Sequence, residues 1–185
     1  MEKKVLVPLA EGFEMVEALG VVDVLRRGGV HVDLAAVGSS LQETSSHGVV
    51  VTAEMFLLDC LQIDYDLVVL PGGIPGAENL KNSAILAQIL KNQAAENKYY
   101  GAICAAPALV LNHHGLLDGK VATCHPLFED QLGENSGIGK AVVVDGNCVT
   151  SRGAGTTIEF GLELLTLLLG EEKKKEVAAG MALSV

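Results

Sequence analysis

Cys104 stands in the run Gly101-Ala-Ile-Cys-Ala-Ala-Pro107, with small residues on both sides and a proline three places on. Small neighbours permit a crowded strand-to-helix turn, and proline suits the first turn of the helix that follows. A thiol on such a turn faces the positive end of the helix, which favours the nucleophilic thiolate. Its ordinary pKa of ~8.5 must fall by about 2 units for the thiolate to dominate at neutral pH. The plainer reading is a small buried residue, as cysteine often is. The segment Leu70-Pro-Gly-Gly-Ile74 offers a second element of chemistry. Gly72 and Gly73 leave the backbone free to aim N–H groups outward, as an oxyanion hole requires, although a tight turn needs the same residues. Glu14 and Glu17 share one helix face at i and i+3. A carboxyl beside a thiolate is pushed towards its protonated form and becomes a hydrogen-bond donor and proton carrier; away from a thiolate the pair is merely acid at a helix start.

Two further segments extend the list. His125, before Pro126, closes an apolar stretch and suits a base or an orienting imidazole. Arg152 lies in Ser151-Arg-Gly-Ala-Gly-Thr-Thr157, a strand-to-helix loop that suits a small anion but lacks the third glycine of a dinucleotide loop. The four cysteines, Cys60, Cys104, Cys124 and Cys148, show no paired metal spacing, and adjacent Cys124 and His125 would point to opposite faces of a strand. No metal and no cofactor is expected. Cys60, Cys124 and Cys148 sit in apolar surroundings and read as structural.

These residues must be placed by the elements around them. Non-alternating apolar runs at Val5–Ala10, His31–Val37, Asp66–Leu70, Tyr99–Ile103, Val121–Cys124, Ala141–Val144 and Cys148–Ser151 read as strands, most of them fully buried. Helices are predicted over Glu14–Arg27, Ala84–Glu96, Ala105–His113, Gly155–Leu169 and Glu172–Met181. The first carries Met15, Leu19, Val22 and Leu25 inward and Glu14 and Glu17 away from them. Leu41–Glu54 reads as a hairpin on a sheet edge. Alternating strands and helices mean an α/β fold, a mostly parallel sheet with helices on both faces. Ligands in such sheets sit beyond the carboxyl ends of the strands, where Glu17, Gly73, Cys104, His125 and Arg152 all fall.

Composition narrows the function classes. The 185 residues suit one domain spanning 1–185, and 49% apolar against 19% charged residues supplies a core and excludes a disordered chain. Thirteen basic against 23 acidic side chains leave a net charge of −10, which disfavours nucleic acid and anionic membranes as partners. No stretch approaches the ~20 apolar residues of a membrane span, and unpaired cysteines fit a reducing, cytoplasmic setting.

Taken in order, Glu11-Gly-Phe-Glu-Met-Val-Glu17, Leu70-Pro-Gly-Gly73, Ala102-Ile-Cys-Ala-Ala-Pro107, His125-Pro126 and Thr150-Ser-Arg-Gly-Ala-Gly-Thr156 resemble the ThiJ/PfpI superfamily, in the branch of the Parkinsonism-associated protein deglycase and its bacterial relatives. The resemblance implies a flavodoxin-like three-layer sandwich and a homodimer. It places the nucleophile at Cys104, its protonated carboxylate partner at Glu17, oxyanion donors on the backbones of Gly73 and Ala105, and the nearby histidine at His125. Glu14, Gly72 and Arg152 fall on neighbouring family positions at the pocket or the dimer contact. The implied activity is a glutathione-independent glyoxalase or deglycase acting on methylglyoxal-type 2-oxoaldehydes or their early glycation adducts, with a part in oxidative and carbonyl stress. The alternative it carries is a redox sensor or chaperone that uses oxidation of the same cysteine. His47 and Ala154 depart from the arginine and proline common at those positions. Ala105 replaces the histidine of the protease-like branch, and His125-Pro126-Leu127 lacks the acid of a glutaminase His-x-Glu.

Overall fold

Buried apolar strands form the spine of the structure, a computed structural model that describes residues 2–133, 137 and 139–183. In chain order the elements are β1 (Lys4–Leu9), α1 (Met15–Arg27), β2 (His31–Ala36), β3 (Gln42–Thr44), β4 (Val50–Thr52), β5 (Met55–Phe56), β6 (Leu67–Leu70), α2 (Gly76–Asn82), α3 (Ala84–Ala95), β7 (Tyr99–Ile103), β8 (Val142–Asp145), β9 (Cys148–Ser151), α4 (Thr157–Leu169) and α5 (Glu171–Gly180). Seven strands make one sheet in the order β5-β2-β1-β6-β7-β9-β8, and only the β8–β9 pairing is antiparallel. Its central parallel strands run second, first, third, fourth, fifth in chain order, the flavodoxin-like arrangement.

Period-2 alternation divides each continuous apolar run between two cores. Val5, Val7, Leu9, Leu67 and Val69 face α1 and α4, against Val21, Leu25, Phe160 and Leu164. Leu6, Val68 and Leu70 face the other way, onto Leu80 of α2, Leu86 and Leu90 of α3, and Val110 and Leu111. Fully burying such a side chain contributes about 1.5–3 kcal/mol, so slipping the register of one strand would cost several of these at once. The sheet therefore fixes the ends of β1, β6, β7 and β9, from which the loops of interest emerge.

Several elements depart from the sequence expectation. Val121–Cys124 is not a strand. Its backbone is tied instead by a hydrogen bond from Val121 N–H to Asp145, by one from Thr123 N–H to Thr150 Oγ1, and by a 2.6 Å bond from Gly137 N–H to the Ala122 carbonyl. The hairpin β3–β4 forms its own two-stranded sheet, and β5 takes the edge beside β2. The helix expected over Ala105–His113 is a six-residue π-wound segment, Pro107–Asn112, and α2 lies in a stretch for which no element was expected. In α1 the buried side carries Glu17, Ala18, Val21, Val22, Val24 and Leu25, while Leu19 faces out. Glu17 thus lies on the inward face, not the outward one.

Candidate active site

The loops after β1, β6, β7 and β9 converge where the chain order reverses, between β1 and β6. Cys104 follows β7 directly and adopts φ +66°, a left-handed conformation that costs a non-glycine residue about 1–3 kcal/mol. Its backbone is clamped on both sides: Cys104 N–H donates to the Ser151 carbonyl at 3.0 Å, and its carbonyl accepts from His125 N–H at 2.8 Å. The turn is the sharp elbow that the small flanking residues foretell, and the side chain is half-buried.

Glu17 reaches this elbow from the first turn of α1 and is only 1% exposed. Gly72 N–H donates to Glu17 Oε2 at 2.8 Å, and the Gly72 carbonyl accepts from Glu14 N–H at 2.9 Å, tying the β6 loop to the start of α1. Glu14 itself caps the helix, its carboxylate accepting from Glu17 N–H at 2.8 Å. Gly72 is required by proximity: a Cβ there would lie 2.6 Å from Cys104 Cβ and 2.8 Å from Glu17 Oε2. Gly73 sits at φ +88°, and its N–H, with that of Ala105, is directed at the Cys104 sulfur. Both N–H groups thus face the sulfur.

Burial dominates the electrostatics. It raises Glu17 from 4.5 to about 7, with the Glu14 charge adding to it, against the lowering effect of hydrogen bonds from Cys104, Gly72 and Ala154. Burial, then the charge and hydrogen bond of Glu17, push Cys104 up to about 12, against the N–H groups of Gly73 and Ala105. The expectation of a thiol lowered by a helix end is not met, because the sulfur is buried and its neighbour is an acid. Near neutral pH burial thus keeps Glu17 partly protonated and Cys104 as the thiol, with N–H donors from Gly72 and Ala154 on the carboxyl and from Gly73 and Ala105 facing the sulfur.

His125 lies at the same mouth. Its Nδ1 accepts from Leu127 N–H at 3.2 Å, which leaves Nε2 as the ring's remaining polar atom. The Arg152 guanidinium lies 3.9 Å from Glu129 Oε1. Two residues of the loop after β9 complete the wall: Ala154, noted in the sequence only as a departure, and Gly153, named there only as part of the Arg152 loop. Ala154 N–H faces Glu17, and a Cβ built on Gly153 would stand 3.5 Å from His125 Cδ2, 3.8 Å from Glu17 Oε1 and 3.9 Å from Cys104 Sγ. Their signal in the sequence was position alone, in the loop after β9. Cys60, Cys124 and Cys148 are buried, and no group of three or more His, Cys, Asp or Glu able to hold a metal occurs among the described residues. Clefts lie elsewhere, one of 190 Å³ beside Cys60 and Lys98 and one of 370 Å³ between Glu11, Glu43 and Asn82. Neither gathers a thiol, an acid and an imidazole, so chemistry rather than volume selects the Cys104 site.

Comparison with known proteins gives the same outline. The family model described as DJ-1/PfpI matches residues 3–167. Two relatives from Arabidopsis thaliana, Protein DJ-1 homolog B and homolog A, are 47% and 44% identical over 92% and 96% of this chain, which spans only 39% and 46% of their length. The glutathione-independent glyoxalase DJR-1.2 of Caenorhabditis elegans is 32% identical over 94% of this chain and 92% of its own. The solved structure of oxidized Toxoplasma gondii DJ-1 superposes with a TM-score of 0.97 at 39% identity, covering 99% of this chain and all of that one.

Proposed function

The chain belongs to the DJ-1/PfpI family, and from that premise we propose that it is a cysteine-dependent, glutathione-independent glyoxalase or deglycase acting on 2-oxoaldehydes or their early adducts. The observation that carries the reading is Glu17, a carboxyl 1% exposed and held near a neutral proton affinity against the Cys104 thiol. A structural carboxylate is rarely buried beside a cysteine; a proton carrier has to be. The glyoxalase relative from C. elegans supports the same activity.

As Cys104 sulfur adds to the aldehyde carbon of methylglyoxal, the thiol proton passes by way of Glu17 to the aldehyde oxygen. Gly73 and Ala105 N–H groups stabilise the charge on that oxygen as the bond forms. The product is a hemithioacetal facing the Glu17 carboxylate. Glu17 then removes the hydrogen of the first carbon as a proton, leaving an enediolate; it returns that proton to the second carbon, while the hydroxyl proton of the first carbon passes to the oxygen of the second. The first carbon is thereby oxidised to a thioester and the second reduced to an alcohol, with no external oxidant. Water cleaves the thioester, releasing lactate and the free thiol; glyoxal yields glycolate by the same steps. His125, at the mouth, suits orienting that water. The protein is proposed to act as a homodimer in the cytoplasm, without a cofactor.

The test is lactate formation from methylglyoxal with no added thiol. Cys104→Ala should abolish it, and turnover retained by that variant removes the proposal. A second reading, a redox sensor or chaperone, has its own observation: Gly72, Gly73 and Ala105 surround the sulfur and Glu17 with N–H donors that suit an oxidised, anionic sulfur as well as an oxyanion. Mild peroxide should then add two oxygens at Cys104 alone, and Glu17→Ala should block the stable sulfinate. Equal oxidation of all four cysteines would exclude the sensor.

A further inference from the structure

We infer that Gly153 sets the size of the group that the site accepts next to the reacting carbon, so that this glycine decides between glyoxal-type and methylglyoxal-type substrates. The inference rests on the reading of Cys104 as the nucleophile and adds the residue that limits what reaches it.

Three side chains from three different loops converge on one point, and that point is the missing Cβ of Gly153, 3.5 Å from His125 Cδ2, 3.8 Å from Glu17 Oε1 and 3.9 Å from Cys104 Sγ. Contacts of that length are ordinary van der Waals distances, so a methyl fits without moving its neighbours. What it would do is fill the space the three groups share. An atom 3.9 Å from sulfur lies at the reach of a chain running from sulfur through the attacked carbon and the adjacent carbonyl carbon to that carbon's substituent. Glyoxal carries hydrogen at that position and methylglyoxal a methyl. The backbone adds no obstacle: Gly153 has φ 161° and ψ −170°, extended geometry that alanine adopts freely. Glycine is therefore not required here by conformation, which distinguishes this position from Gly73.

The loop is also held rigidly enough to act as a wall. Thr156 Oγ1 donates to the Gly153 carbonyl at 2.9 Å and accepts from Gly153 N–H at 3.2 Å, and it lies 2.7 Å from Ser151 Oγ, which in turn donates to the Ala141 carbonyl. Two residues on, Gly155 has no atom within 4 Å of its own absent Cβ, so it serves as a control for stiffening the same loop.

The experiment compares wild type, Gly153→Ala and Gly155→Ala, each checked for an unchanged melting temperature. The kcat/KM for glyoxal and for methylglyoxal is measured without thiol, and Cys104 alkylation by iodoacetamide and by the bulkier N-ethylmaleimide is followed by peptide mass. One methyl in a closed site is worth about tenfold or more in discrimination. Gly153→Ala should therefore lose methylglyoxal turnover at least tenfold more than glyoxal turnover, and slow maleimide more than iodoacetamide, with Gly155→Ala like wild type. An equal effect on both substrates, or the same selectivity change in Gly155→Ala, overturns the inference. Should wild type turn over neither aldehyde, the glyoxalase reading falls, and the alkylation ratio alone decides for or against Gly153.

Discussion

Glu17 carries a thermodynamic signature that its catalytic role would leave behind. Its carboxyl is raised from 4.5 to about 7, so between those values the folded protein binds a proton that the unfolded chain has released. Its contribution to stability is fully present below 4.5 and is lost as pH rises through about 7. A shift of that size corresponds to about 3 kcal/mol, and at 1% exposure solvent screens little of it. Glu17→Gln should accordingly stabilise the protein by up to about 3 kcal/mol at pH 8 while abolishing turnover, read by urea unfolding at pH 5 and pH 8. Equal stability differences at the two pH values would contradict the assigned proton affinity. The same pair sets the reactivity of Cys104. Alkylation by iodoacetamide should move to lower pH in Glu17→Gln than in wild type, because that change removes the Glu17 charge that pushes the thiol up. The residue types of this pair were legible from the sequence, since small residues around Cys104 and a nearby acid announce themselves. Their protonation was not. It depends on burial and on N–H donors from Gly72, Ala154, Gly73 and Ala105, which come from loops far apart in the chain.

At the scale of elements, the first turn of α1 is where cap and acid are joined. Glu14 accepts from Glu17 N–H and thereby fixes both the start of the helix and the direction of the Glu17 side chain. Removing such a cap costs about 1 kcal/mol. Glu14→Ala should lower stability by about that amount and reduce turnover by loosening Glu17, whereas Glu14→Asp, a good cap, should restore most of both. A melting series with rates on the same samples checks this, and loss of rate without loss of stability would mean that Glu14 touches substrate instead. The buried strands were plain in the sequence because an uninterrupted apolar run has few other uses, and β1, β2, β6, β7 and β9 all stand within a residue of expectation. The misreadings share one cause. In α1 the apolar residues Met15 and Leu19 suggested an inward stripe, but the packing against α4 selects the side of Val21 and Val24, next to Gly161, whose absent Cβ would lie 3.1 Å from Val24 Cβ. That choice of face is tertiary. It also brings Glu17 inward, so the error about the helix and the error about the acid were the same error. Val121–Cys124 failed likewise, its apolar run serving as an extended cover held by side chains of β8 and β9 rather than as a strand.

For the whole molecule, the outward turn of α1 leaves apolar surface to be accounted for. Val16 is 48% exposed, Leu19 36%, and on the neighbouring hairpin Val49 and Val50 are 43% and 56% exposed. The hairpin is fastened to the start of α1 by a 2.8 Å bond from Ser46 N–H to the Phe13 carbonyl and by contact of Ser45 Oγ with Met15 Sδ. These exposed apolar residues thus lie on two adjoining elements, and apolar surface gathered in this way suits an interface. A second copy is the proposed occupant. Each copy carries a net charge of −10, so association brings like charge together and has to be driven by this face. Sedimentation at 0.15 M salt should give a species of twice 19.3 kDa. Val16→Arg should weaken it at least tenfold in Kd, while Leu58→Arg, at a position 60% exposed beyond β5, should leave it intact. Salt gives the independent check. Screening lengths fall from ~30 Å at 0.01 M to ~10 Å at 0.1 M, so a dimer opposed by net charge must tighten as salt is added. Dissociation on adding salt would mean that ion pairs rather than the α1 face hold the copies together, and a monomer at every salt concentration would leave that face for another partner.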